Sequence, residues 1–565
     1  MPDTPAATRR IRDLADAHVT AQAVLDPLLA TSIGLAEGAD RLPDLSPAGG
    51  EALDALALDT LTSLDAVEAA GVDGDDERRC ARLLRERLGA QLASSAAGER
   101  LRTVQTLFGP VQEVRTAFTL MPTATEDDWQ AVARRLAAVP AAFGGYVESL
   151  REGARRGLLA APRQVDAVVA QLETWVAAGD GRGWFATFTD DADVPAGLRS
   201  ELDAGARSAT EAAAALRDVL AREYRPAAEG TPDAVGEERY RIAARRWNGA
   251  DIDAREAYEW GWSEFLRLRG EMAAEAERVR PGLTASEAMA YLNTQGPAIE
   301  GVEAVREHLQ ALMDKTITEL DGTHFDLAPP LKRVEARIAP AGSAAAPYYT
   351  QPSLDFARPG RTWLPTLGRT RFPMWDLVST WYHEGVPGHH LQLAQWAHRS
   401  GALSTLQTTE VGMVSANVEG WALYAERLMD ELGYVTDPGE RLGYLDAQMM
   451  RAIRVVLDIG MHLELAVPAD SPIGAGETWT HDLARTFFGA HSGRDPEFLD
   501  SELLRYLGGP GQAISYKLGE RAWLAGREAA RTRQGAGFDP KRWHMAALSQ
   551  GSLGLDDLVA ELAVL

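Results

Sequence analysis

The stretch that reads WYHEGVPGHHLQ brings together two kinds of side chain that bind metal ions. Histidine nitrogens and glutamate oxygens are the usual ligands of zinc in hydrolytic sites. The familiar H-E-x-x-H pattern needs two histidines four residues apart, but Pro387 stands where the second histidine is expected. The candidate residues of this stretch are His383, Glu384, His389 and His390.

An unbroken helix cannot bring these histidines together. Six residues beyond His383 a helix has turned by about 240°, and seven residues beyond it has advanced by about 10 Å. Pro387 has no N–H to donate and its ring crowds the carbonyl of His383, while Gly388 tolerates backbone angles that other residues avoid. We therefore predict that the helix breaks or bulges here and turns His389 back toward His383, with His390 as a supporting neighbour and alternative ligand.

A third metal ligand must come from elsewhere in the chain. In ANVEGWALYAERLMDELG, Glu419 borders an apolar helical stripe and shares its row with Glu426. A carboxylate at that position can lie at the edge of a core. Glu419 is thus the candidate third ligand, with an ordinary exposed helix carboxylate as the alternative interpretation.

Further polar residues lie on helices that are otherwise apolar. In MMRAIRVVLDIGMHLEL, one face carries Arg451, Arg454, Asp458 and His462. Charges on such a helix need partners or a ligand, and mutual pairing of Arg454 with Asp458 is one way to satisfy them.

Three residues are candidate donors to a developing oxyanion. Tyr516, in GGPGQAISYKLG, is predicted one and a half turns into a helix; the others are Arg454 and His544. The structural alternative is that Tyr516 is a core aromatic.

Composition narrows the possible functions. The 565 residues carry a formal charge of −25, which disfavours nucleic acid and anionic membranes as partners. The single cysteine, Cys80, excludes a disulfide framework and a thiolate-rich metal site. The first residues lack the apolar segment of a secretory signal, and no stretch approaches the roughly 18 apolar residues of a membrane span, so we expect a cytoplasmic protein.

The pattern of the chain predicts a mainly α-helical fold with a small β-sheet beside the active-site cleft. Helical periodicity dominates the first 300 positions, and short β-branched and aromatic runs between about 331 and 365 predict two or three strands. We expect a helical part at 1–310 packed on a catalytic part at 311–565. Within the sheet, Tyr349 and Trp363 are predicted to contact substrate, and RPGRTWL to pair with an extended peptide at the sheet edge.

Several motifs together resemble the domain of unknown function 885 family, which is grouped with zinc metallopeptidases of the gluzincin kind. They are HEGVPGHHLQ, VEGWALYAE, RAIRVVLDIGMH, PGQAISYKLG and WHMAALSQGSLGLDDL. The resemblance implies a largely helical metallohydrolase with His383, His389 and Glu419 as ligands and Glu384 as the catalytic glutamate. One departure is the sequence Trp543-His544-Met545, where the family usually has Phe-His-Asp, so a carboxylate partner for His544 is in doubt.

These observations predict a zinc-dependent hydrolase of amide bonds, with Mn²⁺ or Co²⁺ as possible substitutes for one Zn²⁺ per chain. The substrate is a peptide or a small amide. Two alternatives remain: an enzyme of non-peptide metabolism that uses the same metal site, and a non-catalytic metal- or peptide-binding protein. The sequence lacks a G-x-S-x-G elbow, a P-loop and a dinucleotide fingerprint, which disfavours other catalytic classes.

Overall fold

The computed structural model of the chain describes residues 10–35, 38, 40–340 and 346–565. The predicted dominance of helices is confirmed. The helices before the first long sheet strand are α1 (Ile11–Leu25), α2 (Pro27–Ser32), α3 (Pro47–Ala70), α4 (Asp75–Ala96), α5 (Pro110–Leu120), α6 (Glu126–Arg155), α7 (Pro162–Gly181), α8 (Trp184–Thr189), α9 (Ala196–Val219), α10 (Arg225–Ala227), α11 (Glu237–Asn248), α12 (Ala254–Val279), α13 (Ala285–Gln295) and α14 (Val302–Leu320).

The helices that follow the sheets carry the candidate metal ligands. They are α15 (Leu377–Glu384), α16 (His389–His398), α17 (Thr405–Thr408), α18 (Ser415–Glu431), α19 (Pro438–His462), α20 (His481–His491), α21 (Pro496–Gly508), α22 (Ser515–Gln534), α23 (Pro540–Leu548) and α24 (Leu555–Val564). No helix among the described residues is long and apolar enough to cross a membrane.

The predicted sheet between 331 and 365 is present as three strands, β2 (Val334–Ile338), β3 (Tyr348–Thr350) and β4 (Gly360–Leu364). Residues 341–345 of this stretch lie outside the described residues. Strand β4 lies in the middle, parallel to β2 and antiparallel to β3. The prediction that RPGRTWL offers a sheet edge to a peptide is therefore wrong, because both sides of β4 are already paired.

A second sheet was not predicted. Strand β1 (Ala298–Glu300) pairs antiparallel with β5 (Arg371–Pro373) and so joins the chain on either side of the three-stranded sheet. Each strand is only three residues long, which is too short for an alternating pattern to stand out in the sequence.

Two large hydrophobic cores organise the helices of the described residues. The larger core combines residues of α1, α3 and α4 with residues from α11 to α24, and so includes positions on both sides of residue 310. A second core is formed by buried residues between Val104 and Ala228. The predicted boundary at residue 310 stays a prediction.

Helix α19 passes through the larger core, and nearly all its residues are buried. The Asp437 side chain caps its start by accepting from the N–H groups of Gly439 and Glu440, and Pro438 occupies the first turn, where a missing N–H costs nothing. Helix α12 lies close against α19, since a Cβ on Gly261 would come within 2.9 Å of Val455 Cγ1. A helix buried on all faces must pair its polar side chains internally.

Candidate metal centre

The predicted helix break lies between Glu384, the last residue of α15, and His389, the first residue of α16. Its tightness depends on glycine: a Cβ on Gly388 would lie 2.0 Å from the carbonyl oxygen of His383, closer than any real contact. The Gly388 N–H donates to the carbonyl of Tyr382 at 3.0 Å. The chain therefore folds back on the end of α15, and the imidazole rings of His383 and His389 lie 4.7 Å apart.

Trp421 fixes this turn from α18. Its indole Nε1 donates to the carbonyls of Pro387 at 2.9 Å and Gly388 at 3.1 Å, and the Val386–Pro387 peptide between the helices is cis. Trp421 is fully buried and lies two residues beyond Glu419 on the same helix. The indole thus ties the helix that carries Glu419 to the turn that orients the histidines.

Four side chains converge at this point, and we call them the metal cluster: His383, Glu384, His389 and Glu419. Glu419 Oε2 lies 3.4 Å from His383 Nε2 and 3.6 Å from His389 Nε2. His383, Glu384 and His389 also form a buried group whose ligand atoms all lie within 4.8 Å of one another and could hold a metal ion.

The distances in the metal cluster fit a small tetrahedral ion. Ligand atoms at the zinc distance of 2.0–2.1 Å stand about 3.3 Å apart in a tetrahedron. Glu419 Oε2 is buried without a hydrogen-bond partner among the described residues, which is costly unless a cation is present. Glu384 and Glu419 both offer oxygens, but Glu419 Oε2 lies close to both Nε2 atoms, and this geometry favours it as the third ligand.

The charges around the histidines favour a bound cation. Burial alone would lower the pKa of His383, but the nearby carboxylates of Glu419 and Glu426 outweigh it and raise the pKa to about 9. Burial would raise the pKa of Glu419, yet the two histidines hold it well below its usual range. Burial raises the pKa of Glu384. Two buried carboxylates, Glu384 and Glu426, and the partly buried Glu419 surround the two imidazoles, and a divalent ion would balance their negative charge.

Glu426 orients His383 from behind. Its Oε1 lies 2.8 Å from His383 Nδ1, and its Oε2 accepts from Ser379 Oγ at 2.5 Å. Arg451 Nη2 lies 3.9 Å from the same Oε1. A carboxylate bound to Nδ1 leaves Nε2 free to face a metal, which is the arrangement common to metal-binding histidines. The roles of Ser379 and Arg451 were not predicted, although Ser379 lies one helical turn before His383.

His390 is fully engaged elsewhere. Its Nε2 contacts the carbonyl of Leu331 at 2.8 Å and its Nδ1 contacts the Tyr349 hydroxyl at 2.9 Å, with no exposed surface. The ring therefore joins α16 to the three-stranded sheet. Trp363 on the same sheet stacks on Tyr348 with centroids 5.9 Å apart and donates to Thr350 Oγ1.

The polar residues on one face of α19, which we call the polar row, have partners other than the pairing of Arg454 with Asp458 considered above. Arg454 pairs with Glu502 at 2.7 Å instead of with Asp458. Asp458 Oδ2 accepts from the Tyr240 hydroxyl at 2.6 Å and the Gly511 N–H at 2.9 Å, and burial raises its pKa to about 7.

His462 completes this row. Its Nε2 contacts the Tyr506 carbonyl at 3.0 Å, and burial lowers its pKa to about 4. The row thus anchors α21 and the turn that leads into α22.

That turn places Tyr516 near Glu419 of the metal cluster. Tyr516 is the second residue of α22, so the expectation of one and a half turns was wrong: the Gly/Pro segment extends further than predicted. A Cβ on Gly420 would lie 2.4 Å from the Cα of Gly519, so α22 crosses α18 at near backbone contact beside Glu419. Burial and the Glu419 charge raise the pKa of Tyr516, whose ring lies 4.5 Å below the Arg454 guanidinium.

His544 lies in a buried aromatic group. Its Nε2 contacts the Tyr424 hydroxyl at 2.7 Å, and its ring packs on Phe325 and Trp421. Burial lowers the pKa of His544 to about 3. The doubt about a carboxylate partner is thus resolved by the Tyr424 hydroxyl, and this contact indicates a structural histidine.

The fold and the site together define a mainly helical protein with a buried His–Glu–His group at the junction of two helices. The chain belongs to the family of bacterial proteins of unknown function named DUF885, whose model matches residues 27–562. No curated protein is significantly similar to it.

Two solved structures share the fold across almost the whole chain. The "putative lipoprotein from Colwellia psychrerythraea" is 21% identical, with a TM-score of 0.84 and 98% of each chain covered. The "putative lipoprotein of unknown function from Shewanella oneidensis" is 18% identical, with a TM-score of 0.75, and the match covers 98% of this chain and 99% of that one.

Proposed function

We propose that the protein is a metal-dependent hydrolase that cleaves amide bonds of peptides. His383 Nε2, His389 Nε2 and Glu419 Oε2 would hold one zinc ion. The observation that carries this proposal is the separation of Glu419 Oε2 from the two imidazole nitrogens, 3.4 and 3.6 Å, next to the carboxylate of Glu384. Two nitrogens and one oxygen leave a tetrahedral position open, as in catalytic sites.

Glu384 acts as the general base. A zinc ion held by these residues would polarise the scissile carbonyl and acidify the attacking water. The Glu384 carboxylate accepts the proton from that water and transfers it to the leaving amine nitrogen. Its raised pKa suits this task, because a base is most effective when its proton affinity approaches the working pH.

Tyr516 is the proposed donor to the oxyanion. Burial keeps its hydroxyl protonated, and a protonated hydroxyl is a hydrogen-bond donor. Of the other two candidates, His544 contacts Tyr424 through Nε2, and Arg454 donates from two of its three nitrogens to Glu502. The substrate contacts predicted for Tyr349 and Trp363 remain predictions.

Metal analysis combined with turnover tests this function. The purified protein should contain about one zinc ion per chain and should cleave members of a mixed peptide library. Chelation should stop cleavage and zinc should restore it, with Mn²⁺ or Co²⁺ as possible substitutes. A chain that holds zinc but cleaves neither peptides nor other amides would favour the non-catalytic alternative.

The cellular location is a separate part of the proposal. The cytoplasmic location stays a prediction, and the names of the two structural neighbours use the word lipoprotein for those proteins. Cell fractionation of the native producer distinguishes a cytoplasmic enzyme from one associated with the envelope.

A further inference from the structure

Two arginines, the buried Arg454 beside Tyr516 and the partly buried Arg505, share a single carboxylate. Arg454 contacts Glu502 Oε2 through Nε at 3.1 Å and Nη2 at 2.7 Å. Arg505 contacts Glu502 through Nε at 3.0 Å and Nη2 at 2.8 Å, and the Tyr506 hydroxyl donates to Oε2 at 2.7 Å. One negative charge therefore faces two positive charges, and the group formed by Arg454, Arg505 and Glu502 keeps a net charge of +1.

Among the described residues, Glu502 is the one carboxylate that forms an ion pair with either arginine. Asp458 is the next acidic residue along α19, but its bonded oxygen is occupied by Tyr240 and Gly511. Arg505 places its third nitrogen, Nη1, on the side-chain oxygen of Gln512. Arg505 therefore has partners for all three of its nitrogens.

Arg454 also has an unused donor. Its Nη1 is buried and has no hydrogen-bond partner among the described residues, although only 6% of the residue is exposed. A desolvated guanidinium N–H without an acceptor costs free energy, so such a group is expected to meet an acceptor from a ligand. Because Nε and Nη2 bind Glu502, Nη1 already has a fixed position before a ligand binds.

Tyr516 and α22 connect this donor to the metal cluster. The guanidinium of Arg454 is 4.5 Å from the ring of Tyr516, and α22 crosses α18 beside Glu419. Arg451 lies one helical turn before Arg454 on the same face of α19, and it approaches Glu426 at 3.9 Å. The face of α19 that carries these arginines therefore flanks the group around His383.

We propose that Arg454, supported by Arg505, binds a carboxylate of the substrate, namely the free C-terminal carboxylate of a short peptide. A single negative charge matches the net charge of +1, and a charged N–H donor such as Arg454 Nη1 binds a carboxylate oxygen more strongly than a neutral donor does. The cleavage part of this inference rests on the proposed function. Binding of the terminal carboxylate by Arg454 makes the enzyme selective for bonds near a free C-terminus. Internal bonds of long chains are therefore poor substrates.

The experiment measures binding without turnover. Two tripeptide pools are prepared, one with free C-terminal carboxyls and one with carboxamides, and each is presented to the Glu384→Gln variant. Mass spectrometry of the retained peptides should show at least ten-fold more free acids than amides. Within the amide pool, peptides that end in Glu or in Gln distinguish a side-chain carboxylate from the terminal one.

Variants then assign the preference to Arg454. In the Glu384→Gln background, Arg454→Met should bring the acid-to-amide ratio close to one. The matched control, Arg441→Met, removes another arginine of α19 that pairs with two carboxylates, Asp430 and Glu275, and should leave the ratio unchanged. If Arg454→Met does not melt cooperatively, Arg505→Met removes the same net charge and should lower the ratio at least three-fold.

Equal retention of the two pools, whether both bind or neither does, overturns the proposal without any arginine variant. A ten-fold preference that persists in folded Arg454→Met also overturns it. Retention of C-terminal amides only when their last residue is Glu overturns it as well, because the site would then bind a side-chain carboxylate. Wild-type enzyme that cleaves acids and amides equally well contradicts this inference and leaves the proposed function intact. A strong preference for free acids in a protein that cleaves neither pool supports this inference about binding and contradicts the proposed function.

Discussion

His383 makes two contacts through its two ring nitrogens. Nδ1 faces Glu426 at 2.8 Å, and Nε2 faces Glu419 at 3.4 Å. His389, by contrast, has a buried Nδ1 without a hydrogen-bond partner among the described residues. The two histidines of the metal cluster are therefore held differently, the first by a carboxylate and the second by the helix turn.

Removal of the Glu426 charge tests the first arrangement. Glu426→Gln keeps the shape of the side chain but weakens the hold on His383 Nδ1, so zinc affinity should fall by about 10- to 100-fold. Glu431→Gln, on the same helix but paired with Arg527, is the matched control and should leave affinity unchanged. Equal zinc affinity of wild type and Glu426→Gln in a competition titration would show that Glu426 does not support the ligand.

A comparison of adjacent histidines tests the ligand assignment. His389→Ala should abolish zinc binding. His390→Ala should retain zinc but leave the Leu331 carbonyl and the Tyr349 hydroxyl without a partner, which costs about 1–3 kcal/mol of stability. Zinc content and urea unfolding of both variants measure these effects. Loss of zinc in His390→Ala but not in His389→Ala would reverse the assignment.

Among the secondary-structure elements, the joint between α15 and α16 is the most constrained. Gly388→Ala places a methyl group 2.0 Å from a carbonyl oxygen, so the joint must open. We expect a loss of about 1–3 kcal/mol of stability and at least ten-fold weaker zinc binding, because His389 moves away from His383. Gly270→Ala is the control, since a Cβ there has no atom within 4 Å. Similar behaviour of the two variants in thermal melts and zinc titrations contradicts this account of the joint.

The elements also explain how far the sequence could predict the site. The helix break was predictable because proline and glycine act on the nearest backbone, within four residues. The partner of Arg454 was not, because Glu502 lies 48 residues further along the chain and nothing in the local pattern selects it over Asp458. The start of α22 was misplaced for the same reason, since Asp458 holds Gly511 from another helix.

Across the whole molecule, Asp458 joins three distant segments. It accepts hydrogen bonds from Tyr240 on α11 and from Gly511, and these residues lie 218 and 53 positions away. The larger core likewise unites helices from both ends of the chain. The helical class of the fold was predictable from periodicity, but the contacts that assemble these segments depend on tertiary packing.

The protonation of Asp458 makes the stability of the whole fold depend on pH. Its pKa rises from 3.8 to about 7 on folding, so the folded state binds the proton more tightly than the unfolded chain. The stability contributed by this group is complete below about pH 4 and is lost as the pH rises through 7, by at most roughly 4 kcal/mol.

Asp458→Asn removes this dependence because its side chain stays neutral. Relative to the wild type, the variant should gain free energy of unfolding between pH 5 and pH 8, as measured by urea denaturation at both values. A difference between the two proteins that does not change with pH contradicts a raised pKa for Asp458.

The central claim is that Glu384 is the base of a metal-dependent hydrolase, and one measurement tests it most directly. Wild type and Glu384→Gln, each with its zinc content determined, are compared for turnover of the same peptide library. An amide cannot accept the proton of the attacking water, so the variant should keep one zinc per chain and its fold while turnover falls by roughly 10²- to 10⁴-fold. Cleavage by zinc-loaded Glu384→Gln at the wild-type rate would contradict the claim.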